Sequence, residues 1–196
     1  MQNSWKYTII STISIILIIP IFFGVFIEFL FIRHLNIIVL LISLFGFLSL
    51  FILGKLIVNY GFNSQNIKIM KKHDVIRTLI NDNNKLMILV FFSITMIMEE
   101  LIFRYYLISI LLFLFKIDLF LIVLISSIIF SLYHIHSWVF FKNLTILLIY
   151  LIFAFLLGLF NGFVFLTLGI IPCIIIHSTI AFLFYYNIFT SHFKIK

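Results

Sequence analysis

The sequence predicts an all-α fold, a polytopic membrane bundle of about six transmembrane helices. Hydrophobic residues make up 65% of the 196 residues, and charged residues only 10%. Soluble domains carry roughly 25% charged residues, so this chain has too few to cover a water-facing surface. The mean hydropathy of +1.34 supports the same fold class. The lipid bilayer is therefore the first expected partner.

Long apolar runs separated by polar connections set the approximate limits of the spans. The predicted spans are 8–32, 37–58, 86–115, 119–141, 144–168 and 171–190. The first is longer than the roughly 7–15 apolar residues of a secretory signal, and no A-x-A-like cleavage site follows it, so we expect a retained helix. The third is about 30 residues long, so we expect it to tilt or to project from the bilayer.

The polar stretch 59–85 is the one candidate boundary in the sequence. It divides an N-terminal part, 1–85, with two spans and a basic loop, from a four-span remainder, 86–190, and a short tail, 191–196. We expect a short surface helix in the connection, with a mixed apolar and charged pattern at Ile67, Met70, Asp74 and Arg77.

The distribution of Lys and Arg predicts the orientation, because cytoplasmic loops carry the excess of these residues. With the N-terminus inside, the cytoplasmic side receives Lys6, Lys55, Lys68, Lys71, Lys72, Arg77, Lys85, Lys142, Lys194 and Lys196. The other side receives Arg33 and Lys116. We therefore place both termini in the cytoplasm. Topology also explains the net charge of +7, so no nucleic-acid partner is expected.

The candidate site residues are ionisable groups inside the predicted spans: Glu99, Glu100, Arg104, His134 and His177. A charged group at the centre of a membrane helix costs about 2.5–3.5 kcal/mol. Such residues therefore usually face the bundle interior and mark a functional site.

The spacing of the two glutamates and the arginine predicts different roles for the two carboxylates. Glu100 and Arg104 are four residues apart and share one helix face, with the acid N-terminal to the base. Glu99 is rotated about 100° from Glu100, so Arg104 cannot pair equally with both. We expect Glu100 to pair with Arg104 and Glu99 to stay free as a general base. The pair could instead be structural and pin two helices together.

The glutamates and the two histidines lie at similar depths in three different spans. At about 1.5 Å per residue, they fall within roughly 6 Å of one plane, so we expect them to meet in one interior cavity. Taken singly, His134 or His177 could instead form an interhelical hydrogen bond. We expect His136 to point elsewhere, and we expect no role for His34, His73 and His192 in or near loops. Asn161, Gly158 and Gly162 are expected to form a close helix-packing face.

Three motifs in order carry a resemblance to a known family. They are E-E-x-x-x-R at Glu99–Arg104, F-x-x-x-H at Phe130–His134, and an H-x-x-x-N pattern at His177–Ala181 in which alanine replaces the last residue. In this the sequence resembles the CPBP intramembrane proteases, the CAAX-protease and bacteriocin-processing (Abi) group. The resemblance covers about 86–185.

The resemblance implies hydrolysis of a peptide bond inside the membrane, on a membrane-associated peptide or protein. It implies that Glu99 activates water with the help of His134. Glu100 and Arg104 would support the helix and the local charge, and His177 would help to stabilise the oxyanion. Ala181 departs from the pattern, because the missing Asn would be an oxyanion donor; Asn161 or a water could replace it.

The residues leave the cofactor open. Glu99, His134 and His177 would suit zinc, with a water in the fourth position. The chain has no H-E-x-x-H motif, and water activation by glutamate and histidine needs no metal. We therefore expect no obligatory metal and keep zinc as the alternative.

Two other functions are compatible with the same residues. The first is a non-catalytic or weakly active bacteriocin self-immunity protein of the same family. The second is a small transporter that uses the buried charges as a proton relay; such a protein would be expected to show repeat symmetry, which is not found. The Ile, Phe, Lys and Asn bias indicates an AT-rich bacterial genome. We therefore expect a bacterial cytoplasmic membrane and a substrate without a prenyl group.

Overall fold

The computed structural model describes residues 2–81, 85–115 and 117–194. Within these ranges every regular element is helical. The α-helices are α1 Gln2–Phe22, α2 Ile37–Leu56, α3 Ser64–Met70, α4 Asp74–Asn81, α5 Lys85–Glu100, α6 Leu107–Leu114, α7 Leu119–Tyr133, α8 His136–Phe141, α9 Leu144–Leu168 and α10 Ile170–His192. The remaining elements are a 3-10 turn, Ile27–Phe29, and two π-helical segments, Ile57–Gly61 and Leu101–Tyr106.

Five helical stretches in the described ranges are long and apolar enough to cross a membrane. They are Trp5–Phe22, Ile37–Gly61, Leu119–Phe141, Leu144–Leu168 and Ile170–His192. The polytopic membrane bundle is therefore confirmed. The predicted third span, 86–115, is helical from Lys85 to Leu114 through α5, a π segment and α6, but it is not one of the five. Its crossing of the bilayer stays a prediction.

The first predicted span, 8–32, is too long at its C-terminal end, since α1 ends at Phe22. Gly24 has a φ of +85°, a conformation that glycine adopts without strain. The N–H of Val25 then donates to the carbonyl oxygen of Pro20 at 3.1 Å, which closes a Schellman-type cap. The chain therefore leaves the helix well before the end of the apolar run.

The fourth predicted span, 119–141, is interrupted in its second half. Its first helix, α7, ends at Tyr133, and a turn at His134 and Ile135 precedes α8. The N–H groups of these two turn residues donate to carbonyl oxygens three residues back, and the ψ of His134 is 0°. The break changes the direction in which the polar residues that follow α7 point.

The polar connection 59–85 is packed into the bundle, whereas a surface helix was predicted. It forms two short helices, α3 and α4. Their apolar side chains are buried, including Ile67, Met70, Val75 and Ile76. Residues 82–84 of this stretch lie outside the described ranges.

Polar contacts define the two ends of the bundle. At one end the Lys6 ammonium lies 3.2 Å from the Asp74 carboxylate, and the amide of Asn143 donates to Asn66 at 3.0 Å. At the other end the backbone N–H of Arg33 donates to the carbonyl oxygen of Thr167. The two ends separate Lys6 from Arg33 as the predicted orientation requires; the side of the membrane stays a prediction.

Two glycines of α9 pack closely against α7. A Cβ added to Gly158 would lie 3.0 Å from the Ser127 side chain, and one added to Gly162 would lie 2.5 Å from Cγ1 of Val123. The two glycines therefore let the backbones approach, as the small-residue pattern predicted. This contact holds the middle of α7 against α9.

The close contact predicts a cost for one methyl group. Gly162→Ala should lower the free energy of unfolding by about 1–3 kcal/mol, because overpacking forces neighbouring groups apart. Gly61→Ala is the matched control, since its Cβ would be 3.4 Å from the nearest atom, an ordinary contact. Unfolding in detergent micelles checks this: equal stability of the two variants would contradict the packing.

Candidate active site

The carboxylates of the predicted site lie where α5 changes into a π-helical segment. Glu99 and Glu100 are the last residues of α5, and Arg104 lies in Leu101–Tyr106. All three side chains are buried. π-helical turns are rare and are frequent at functional sites. No signal in the sequence distinguishes this segment from an ordinary α-helix.

Glu100 is enclosed by three polar side chains. Its Oε2 lies 3.4 Å from Nε of Arg104, which confirms the pairing predicted from their spacing. Its Oε1 accepts a hydrogen bond from Nδ1 of His177 at 2.8 Å and one from Nδ2 of Asn161 at 3.1 Å. Since a carboxylate only accepts, the His177 proton must be on Nδ1 when the ring is neutral. Glu100 thereby joins α5, α9 and α10.

Asn161 does not lie where it could act as the oxyanion donor that the sequence analysis considered. Its amide also lies 3.4 Å from the carbonyl oxygen of Cys173, and the Cys173 thiol donates to the Asn161 carbonyl oxygen at 3.2 Å. The side chain is fully buried and does not line the cavity described below. It therefore cannot replace the donor missing at position 181 without moving.

Phe130 packs between the cation and the two imidazoles. The Arg104 guanidinium lies over its ring, 4.0 Å from the centroid, in a cation–π contact. The ring centroids of His134 and His177 lie at 4.9 and 5.6 Å from that of Phe130. The first residue of the F-x-x-x-H motif thus positions the charged groups through packing.

Glu99 is the carboxylate left over, as the spacing predicted. Its Oε2 is 3.8 Å from Nε2 of His177, and within the described part of the chain this oxygen accepts no hydrogen bond. The Glu99 side chain lines a cavity of about 720 Å³, whereas Glu100 does not. The two neighbouring carboxylates therefore have separate environments.

The cavity leads from the Lys6 end of the bundle to the predicted site residues. Lys6, His73 and Asp74 line its outer part, where the Lys6 side chain is 60% exposed. Glu99, His134, His177 and Ala181 line it as well, among aromatic side chains. The expectation that the acid and both imidazoles meet in one interior cavity is met by this lining.

His134 lies on the cavity wall next to the break after α7. Its Nδ1 is 3.0 Å from the carbonyl oxygen of Phe130. Because a carbonyl oxygen only accepts, the neutral ring carries its proton on Nδ1 and has a free lone pair on Nε2. His134 is therefore arranged as a hydrogen-bond acceptor at that atom.

Two further histidines line the cavity. The expectation that His136 points elsewhere was wrong, whereas the absence of a role for His73 stays a prediction. His136 lies with its ring centroid 5.9 Å from that of His134, because the turn at His134 redirects the chain. His73 stacks on Tyr185 with ring centroids 4.1 Å apart. Desolvation lowers the pKa of His73 to about 4, so its ring is neutral at pH 7. Neither placement has a signal in the local sequence.

The described ranges contain no three His, Cys, Asp or Glu side chains grouped as metal ligands. Glu99 and His177 are close, but His134 does not complete a set with them. The arrangement as it stands does not fit a three-residue zinc site, and the mechanism below uses no metal.

The sequence model of one family matches the part of the chain that holds this site. The family is described as type II CAAX prenyl endopeptidase Rce1-like, and the match covers residues 81–183, more than half of the chain. The chain belongs to this family. It is therefore a multi-pass membrane protein of a protease family, as the motifs predicted. No curated protein and no solved structure matches the chain.

The contacts of the two glutamates predict unequal effects on the free energy of unfolding. Glu100→Gln leaves the buried Arg104 cation without its counter-charge, so the free energy of unfolding should fall by about 3–5 kcal/mol. Glu99→Gln, the matched control, has no such partner to lose and should change it by less than about 1 kcal/mol. Unfolding of both variants in detergent micelles is the measurement, and equal losses would contradict the distinct environments.

Proposed function

We propose that this chain is an intramembrane endopeptidase in which Glu99 activates a water molecule for attack on a peptide carbonyl. The observation that carries the proposal is that the two neighbouring carboxylates have different surroundings. Glu100 is engaged by Arg104, His177 and Asn161. Glu99 lines the cavity, and its Oε2 lies 3.8 Å from Nε2 of His177, too far for a hydrogen bond.

Glu99 takes part in two proton transfers of the reaction, first as a base and then as an acid. Glu99 accepts a proton from the water as the water oxygen bonds to the carbonyl carbon. The tetrahedral intermediate then breaks its C–N bond. The leaving nitrogen takes the proton from Glu99, which gives a carboxylic acid and an amine. That carboxylic acid then passes its proton to the amine, so the final products are a carboxylate and an ammonium group.

His134 supports the water on the other side. Its Nδ1–H is held by the carbonyl oxygen of Phe130, so Nε2 accepts a hydrogen bond from the water. This contact orients the water without placing a second negative charge beside it. The turn after α7 is what directs the ring there.

His177 supplies positive charge for the oxyanion. Its Nδ1 bond to Glu100 fixes the ring. With a proton on Nε2 as well, the ring donates from that atom to the oxyanion. A low-dielectric cavity strengthens such a contact compared with water.

The lining of the cavity indicates the substrate class. Aromatic side chains surround the polar groups, including Phe91, Phe92, Phe153 and Phe184. They suit the apolar side chains of a membrane-associated peptide. We propose such a peptide or protein as the substrate and a cell membrane as the location.

A second candidate function rests on Ala181. This residue lines the cavity next to the proposed site and offers no hydrogen-bond donor. A chain that binds peptides without cleaving them, as in bacteriocin self-immunity, would be compatible with it. Cleavage of a peptide by the purified protein separates the two functions.

The test uses a library of quenched fluorescent peptides rich in apolar residues, in detergent micelles. The wild-type chain should cleave some members. Glu99→Gln should lower kcat at least about 10³-fold, and His134→Ala should lower it about 10²–10⁴-fold, the range for a lost acid–base group.

The control is Ser64→Ala, which changes a residue outside the cavity lining and should leave the rate unchanged. Equal cleavage by wild type and Glu99→Gln would reject the assignment. Protection against a bacteriocin without any cleavage would favour the immunity function. Metal analysis and the same assay with a chelator address zinc: the favoured mechanism predicts unchanged cleavage.

A further inference from the structure

Three residues of α10 at four-residue spacing line the cavity: His177, Ala181 and Tyr185. Residues four apart lie on one face of a helix, so they form one wall. The first and the third carry polar groups, and the middle one carries only a methyl group. The small side chain of Ala181 therefore leaves space next to His177 that a neighbouring side chain can occupy.

Tyr185 is directed toward that space. In an α-helix the Cα–Cβ bond tilts toward the N-terminus, so a long side chain covers the preceding turn. The preceding turn here begins at Ala181. The Tyr185 side chain is 9% exposed, and the His73 ring stacks on it with an interplanar angle of 16°. This packing restricts the orientation of the phenol.

The phenol oxygen of Tyr185 is paired with a second tyrosine. Its Oη is 2.9 Å from Oη of Tyr150, which comes from α9 and also lines the cavity. The Tyr150 ring centroid is 6.4 Å from that of His134. The pair therefore joins α9 to α10, the helix that carries His177, and lies near His134.

The hydroxyl pair has one proton more than its own hydrogen bond uses. Each phenol carries one O–H, and either one can donate to the other. The second O–H has no other acceptor in the ranges that the structure describes. Because both residues line the cavity, this proton is available to a group bound there.

We propose that the Tyr150–Tyr185 hydroxyl pair donates a hydrogen bond to the oxyanion of the tetrahedral intermediate. This inference rests on the proposed function. When the water oxygen bonds to the carbonyl carbon, the C=O π electrons move to the carbonyl oxygen. The tyrosine proton stays on its phenol oxygen and stabilises that charge. When the C–N bond breaks, the electron pair returns and the hydrogen bond weakens.

The test removes both hydroxyls and keeps both rings. Tyr150→Phe/Tyr185→Phe should lower kcat by about 10²–10³-fold on the best-cleaved peptide of the library, as for the loss of one oxyanion donor, with KM within about twofold. Tyr186→Phe is the matched control on the same helix. It is 39% exposed, lies outside the cavity lining and should keep the wild-type rate.

A new donor at position 181 provides the second arm. Ala181→Asn should raise the rate of the double tyrosine variant at least about tenfold, but that of the wild type less than about threefold, because a donor is already in place. This arm in the wild-type background does not depend on the folding of the tyrosine variants.

The outcomes separate this inference from the proposed function. A wild-type rate in the double tyrosine variant, with Glu99→Gln inactive, overturns the hydroxyl pair and leaves the protease assignment. A large gain from Ala181→Asn in the wild-type background also overturns it. If neither wild type nor Ala181→Asn cleaves any peptide while both are folded, both proposals fail.

Discussion

The carboxylate of Glu100, enclosed by Arg104, His177 and Asn161, is the interaction on which the site depends. A buried cation without a counter-charge is strongly destabilising, so Arg104 requires this carboxylate. The same carboxylate fixes the His177 ring. One residue thus satisfies a buried charge, joins three helices and orients an imidazole, and its neighbour Glu99 is left to face the cavity.

The helix packing around this network explains why a cavity exists beside it. The glycines of α9 draw α7 close, and α7 then ends at Tyr133 rather than continuing along the bundle. The turn that follows places His134 and His136 on the cavity wall. The two short helices of the polar connection close the outer part, where His73 packs on Tyr185. The site is therefore formed by the turn after α7 and by the packed connection that holds α3 and α4, as well as by the membrane spans.

The parts of the structure that depend on local spacing could be predicted from the sequence. The span 144–168 coincides with α9, and the Glu100–Arg104 pair follows from their separation by four residues. The parts that depend on tertiary contacts could not. The π-helical segment and the break at His134 have no Gly or Pro to mark them. Asn161 reaches Glu100 only because α9 is rotated about its own axis so that this side chain faces α5. Helices that are apolar on every face give no hydropathy signal for that rotation.

Chemical modification of the two neighbouring glutamates tests the central claim most directly, because it needs no substrate. A hydrophobic carbodiimide converts a reachable carboxyl group into a stable N-acylurea, and fragment-ion mass spectrometry distinguishes Glu99 from Glu100. The cavity lining predicts modification of Glu99, with Glu100 protected by its partners. Preferential modification of Glu100 in the folded wild-type protein would contradict the account.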